Sequence, residues 1–352
     1  MISYWLPISA VILALLMVFP VGLLSQTLHP EPVGLRPDAP IYAKHGPYWV
    51  GTQEFVIEDP EGSRTLPATL WYPALNPKSL KEAYTFTYLD SYHPGSGRQQ
   101  VNQTTLDIEG HALVEAAPDP TGGPFPLLVF VPGDEESRLL SLFLQEHAAS
   151  YGFMVLGVDH PRPGESRPGD VIRVIEFAKN LAATAGPFSG LIRTEQAAVA
   201  GVGSGGTTAL QMGGIPYADK KITEPRIKAL LPMTLWGDPE LFDLSEATLP
   251  TLMLLSTSRK GYKTANVKIY QDLPVVAKGL VVLVGGVSSA WYIPNLPGTE
   301  GGSLDINRAH DLINHFTTAF LLDVLKGDKE AHKALLPEAV KFEEVQYTTT
   351  FK

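Results

Sequence analysis

A succession of continuous apolar runs, each closed by turn residues, constrains this fold more than any other feature of the chain. The runs are PFPLLVFVPG (residues 124–133), FMVLGVDHP (153–161), AAVAGVG (197–203), IKALLPMTLWG (227–237), TLPTLMLLSTS (248–258) and KGLVVLVGGV (278–287). A strand with no polar alternation is one buried on both faces, which belongs in a parallel sheet covered by helices on either side. Helical spacing fills the gaps over residues 137–151 and 169–184, the second with Asp170 near its start, where a carboxylate favours the helix dipole. A last helix spans 304–328 and ends near Gly327. The alternation predicts an α/β class fold, a doubly wound and mostly parallel sheet. Before it, TQEFVIEDP (52–60) and TLPATLWYPA (65–74) read as a hairpin-like pair. Residues 80–118 break the alternation and read as an insertion over one sheet edge.

Composition narrows the function classes. The net charge of −10 over 352 residues, with no basic stripe, argues against nucleic acid as a partner. The absence of cysteine removes disulfides, thiolate metal sites and cysteine nucleophiles. No cofactor or metal site is implied. Residues 1–27 carry no charged side chain, and residues 4–24 are long enough as a helix to cross a hydrocarbon layer about 30 Å thick. With no Lys or Arg ahead of it and no clear cleavage site behind it, this stretch reads as a single-pass anchor, with the bulk of the chain outside the cytoplasm (periplasmic). The expected organisation is therefore an anchor at 1–25, an extended proline-rich tether at 26–45, a globular domain at 46–335 and a tail at 336–352.

The turn Gly201-Val202-Gly203-Ser204-Gly205 has the spacing of a nucleophile elbow, G-x-S-x-G, between a buried strand and a helix of small residues. Its central position is Gly203. Around it, LPATLWYPA, PFPLLVFVPG, ASYGFMVLGVDHPRPGES, AGPFSGLIRTEQAAVAGVGSGG, LPTLMLLSTS, KGLVVLVGGV and AFLLDVLKGD occur in the order found in the α/β-hydrolases of the platelet-activating-factor acetylhydrolase and dienelactone-hydrolase-like group. The chain resembles that group over about residues 46–335.

The resemblance implies a nucleophile at Gly203, an acid near Arg259 and an imidazole near Ser288; none of the three side chains can do that work. It also implies a glycine-rich oxyanion loop where this chain has Pro132-Gly133-Asp134-Glu135-Glu136-Ser137, expected to be a solvated acidic loop ending in a helix cap. Fallback candidates are Ser204, otherwise a first-turn or N-cap serine; Asp238, after the 227–237 strand; and His310, which with His315 reads as a surface or helix-packing residue. Ser288 is a second hydroxyl to weigh, and His160 reads as structural. The expectation is a catalytically inactive hydrolase-like domain serving as a structural or accessory subunit of a membrane complex, a bioenergetic one for example, held to lipid and other subunits through the N-terminal helix and the soluble domain. The alternatives are a membrane-anchored carboxylic-ester hydrolase with a relocated triad and a non-catalytic lipid- or ligand-binding module.

Overall fold

The computed structural model describes residues 29–352 apart from 59–64, 91–103, 135, 161–166, 258–259, 276, 295 and 297–300. The expected membrane anchor lies outside the described residues, and so does Arg259. Among the described residues no helix is long and apolar enough to cross a membrane.

The strands are β1 (Trp49–Glu58), β2 (Thr65–Ala74), β3 (Tyr84–Asp90), β4 (Thr104–Gly110), β5 (Leu113–Val114), β6 (Phe125–Val131), β7 (Met154–Val158), β8 (Ile192–Val202), β9 (Ile227–Met233), β10 (Thr251–Ser256), β11 (Lys278–Leu283) and β12 (Val345–Thr349). The helices are α1 (Leu142–Ser150), α2 (Arg167–Ala183), α3 (Ser204–Gln211), α4 (Lys260–Asp272), α5 (Ile306–Lys326) and α6 (Lys329–Ala334). All strands except β3 and β4 form one sheet in the order β12-β11-β10-β9-β8-β6-β7-β2-β1-β5. From β7 to β11 neighbouring strands run parallel, while β1, β2 and β12 add antiparallel edges.

The apolar runs are continuous because both faces of each strand are covered. In β6, Leu128 and Phe130 join the cluster with α1 and α5, whereas Leu127, Val129 and Val131 join the opposite cluster with α2 and α3. The period of two sorts one run into two cores. α5 is fixed at both ends: Asp305 accepts a hydrogen bond from the Arg308 amide at 2.9 Å, and Gly327, at φ +68°, closes the helix in a left-handed conformation.

The chain order creates a switch point. β7 lies on one side of β6 and β8 on the other, so the connections diverge at the carboxyl ends of β6 and β8. Open α/β sheets place their ligand crevices at such a point.

Three regions depart from the sequence reading. Residues 29–45, expected as an extended tether, lie against the body, their backbone held by side chains of α1 and α5. Asp311 accepts the Leu35 and Arg36 amides at 3.0 Å each, and His147 donates from Nε2 to the Tyr42 carbonyl at 2.7 Å. The tail contributes β12, paired antiparallel to β11. The insertion is a two-stranded sheet of β3 and β4, docked where the Tyr84 hydroxyl accepts from Trp71 Nε1 and donates to Glu146.

Phe130 is fully buried in β6, so Phe130→Ala should cost about 3–5 kcal/mol of stability in urea denaturation. Val56→Ala, at a position 62% exposed, should stay within about 0.5 kcal/mol of the parent.

Candidate active site

The turn between β8 and α3 has elbow geometry. Gly203 sits at φ +60° and ψ −121°, with its N–H donating to the Met233 carbonyl and its own carbonyl accepting from Trp236 N, both at 3.0 Å. A β-carbon at position 203 would meet nothing nearer than Gly133 Cα, at 4.0 Å. Its neighbours are different. A β-carbon on Gly201 would lie 2.3 Å from the Gly205 carbonyl oxygen, and one on Gly205 would lie 2.0 Å from that of Val131. Gly201 and Gly205 are therefore glycine for lack of space, and Gly203 because of its backbone conformation.

Ser204 is the first residue of α3, with Gly203 at the N-cap. Its Oγ accepts a hydrogen bond from Arg167 Nη1 at 2.6 Å. Arg167 begins α2, is buried, and forms an ion pair with Asp134 on the loop after β6. Burial pulls the Arg167 guanidinium below its ordinary pKa, opposed by Asp134, Glu136 and Asp170. The acidic loop is thus not the solvated one expected. Glu136 is half-buried, accepts the Gly133 amide at 3.0 Å and accepts the Tyr292 hydroxyl. Ser137 caps the short 3-10 turn that follows, and the buried Arg138 secures it through Asp159, Thr69 and Glu54.

The fallback residues are not brought together as a triad. Asp238 is exposed and accepts the Glu240 amide at 3.0 Å, capping its own turn. His310 is buried in α5, stacked on Phe143 with ring centroids 3.6 Å apart, and faces the Tyr292 carbonyl at 3.0 Å. A carbonyl only accepts, so His310 Nε2 carries the proton. Burial lowers the His310 pKa to about 4, and that of His315 likewise to about 4. Both are helix-packing residues held neutral; neither lies on the surface. Ser288 opens a short 3-10 turn, Ser288–Trp291, after β11. His160, two residues past β7, donates from Nδ1 to the buried Asp170 carboxylate at 2.9 Å, and its buried Nε2 has no partner among the described residues.

Sequence reasoning missed Arg167 and Tyr292 as members of this site, and it placed Glu136 in the loop at the oxyanion position but expected it to be solvated. Arg167 had a readable signal: a cation three residues before Asp170, just ahead of the amphipathic helix expected over 169–184. Nothing in the sequence announces that Tyr292 reaches the loop after β6.

Similarity was found at the level of structure. No protein-family model and no curated protein matches the chain. Among solved structures, the ferulic acid esterase from Streptomyces cinnamoneus superposes with a TM-score of 0.56 and 21% identity, covering 87% of this chain and 97% of that one. The chain has the α/β-hydrolase fold. The likeness overturns the expectation of an inactive accessory subunit of a membrane complex: this structural neighbour, matched over 97% of its own length, is an esterase. That expectation rested on replaced side chains at Gly203, Arg259 and Ser288. Such replacements constrain which atoms carry a reaction and do not by themselves assign a structural role.

Two outcomes test this geometry. Gly203→Ala should fold with a loss of about 1–3 kcal/mol from backbone strain, whereas Gly205→Ala should lose much more or fail to fold; urea denaturation compares them. Because His310 is neutral when folded, the unfolded chain binds more protons between pH 6.5 and about 4. Stability is complete above that window and falls through it on acidification, by roughly 3 kcal/mol from this group. His310→Gln should flatten the slope of stability against pH by about one proton across the same window.

Proposed function

We propose that this chain is a hydrolase of carboxylic esters, acting in the crevice at the carboxyl ends of β6 and β8. The observation that carries the reading is the elbow at Gly203, which keeps the backbone conformation, the switch-point position and the open space of an acyl-transfer site. The fold and its likeness to an esterase support it. The order of the sequence segments favours the platelet-activating-factor acetylhydrolase and dienelactone-hydrolase-like group within the fold.

The chemistry follows from where charge develops. Attack on an ester carbonyl produces an oxyanion, which needs donors already aimed at it. The first amides of a helix have no intrahelical acceptor, and those of α3 begin at Ser204, directly after the elbow. Arg167 adds a positive charge in the same place, bonded to Ser204 Oγ and drawn towards the crevice by Asp134. The Ser204 hydroxyl oxygen accepts the guanidinium N–H in that bond, and among the described residues its side-chain partner is Arg167 rather than an imidazole. This arrangement favours an oxyanion-stabilising role for the first turn of α3 over a serine–histidine relay.

A panel of p-nitrophenyl and hydroxycinnamate esters tests the reading. The parent chain should release acid and alcohol above the buffer rate. Arg167→Met should lower kcat/KM by about a hundredfold, the loss typical of one oxyanion-stabilising group. No turnover of any ester by the folded parent chain would contradict the proposal.

A further inference from the structure

We propose that Glu136 is the general base of this hydrolysis, taking a proton from a water molecule seated over Gly203. The inference rests on the esterase reading and names the group that activates the attacking oxygen.

Gly133 is common to both halves of the argument. Its Cα stands 4.0 Å from the point where a side chain at position 203 would begin, and its N–H holds the Glu136 carboxylate at 3.0 Å. The Tyr292 hydroxyl donates to the other carboxylate oxygen. Glu136 is therefore fixed by donors on two elements, the end of β6 and the segment after β11, beside the space that the glycine leaves open. Among the described residues Arg167 interacts electrostatically with Glu136, and Arg167 is itself paired with Asp134.

In the step, the water oxygen bonds to the ester carbonyl carbon while its proton passes to Glu136. Collapse of the tetrahedral intermediate breaks the bond to the alcohol oxygen, which takes the proton from Glu136. The products are the acid and the alcohol, and Glu136 returns to its starting form. No covalent enzyme intermediate forms.

The test compares the parent with Glu136→Gln and Gly203→Ala on the ester that the parent turns over best. Glu136→Gln should lower kcat by about 10²–10⁴-fold with little change in KM, the size of a general-base contribution. Gly203→Ala should lower kcat comparably, since its methyl group fills the seat of the water, and circular dichroism verifies that it has folded. The parent should show no burst and no adduct with a fluorophosphonate probe. Unchanged kcat in Glu136→Gln, or a burst with an adduct on a serine, would overturn this base while leaving the esterase reading intact. A parent without turnover would remove both.

Discussion

The close approach of the first turn of α3 to the ends of β6 and β8 is the constraint on which the rest of the site depends. Gly201 and Gly205 leave their backbones nearly touching, and Gly205 in turn lies against the Val131 carbonyl. Any side chain there would push α3 away from the sheet. With the helix seated, its first-turn amides, which have no acceptor within the helix, lie at the carboxyl ends of β6 and β8, and the residue at position 203 adopts a positive φ. The glycine at 203 takes that conformation with little strain, so the turn survives without a nucleophilic side chain. The geometry of the elbow and the chemistry of its central residue are separable, since the turn forms here with glycine at its centre.

Around the turn, charge is arranged by burial rather than by solvent. Arg167 could not remain a buried cation without a carboxylate, and Asp134 meets it from the loop that sequence alone would leave in water. The same loop sends Glu136 back onto Gly133, so a run of acidic residues becomes a set of specific contacts. On the opposite face of the sheet, His147, His310 and His315 are buried and neutral, and they hold backbone carbonyls and amides of the docked N-terminal segment and of the loop after β11. Those imidazoles are part of the packing, which removes His310 from the list of bases.

Most of the architecture was legible because buried parallel strands leave an unbroken apolar signature. The hairpin of β1 and β2, the central strands, α2 and α5 all follow from periodicity and turn residues. β12 was not legible: VQYTT has no apolar run and joins the sheet only because β11 offers an edge. The docking of residues 29–45 was hidden for a related reason. An irregular proline-rich segment has no period to read, and its anchors, Asp311, His147 and His315, come from helices far away in sequence. At the site, the motif located the elbow correctly, since its glycines are dictated locally. The partners of Ser204 and of the Glu136 carboxylate were beyond reach, because Arg167 and Tyr292 arrive only through tertiary structure. The functional expectation failed at the step from missing side chains to a missing reaction.

The account stands on the claim that the crevice above Gly203 receives the oxyanion of an ester undergoing hydrolysis. A crystal structure of the chain with a non-covalent phosphonate analogue of the tetrahedral intermediate tests this most directly. The account predicts a phosphonyl oxygen about 3 Å from the Ser204 amide, above Gly203 and beside Arg167. An analogue seated elsewhere, or one whose phosphorus lies against the hydroxyl of a serine that leans on an imidazole, would contradict it.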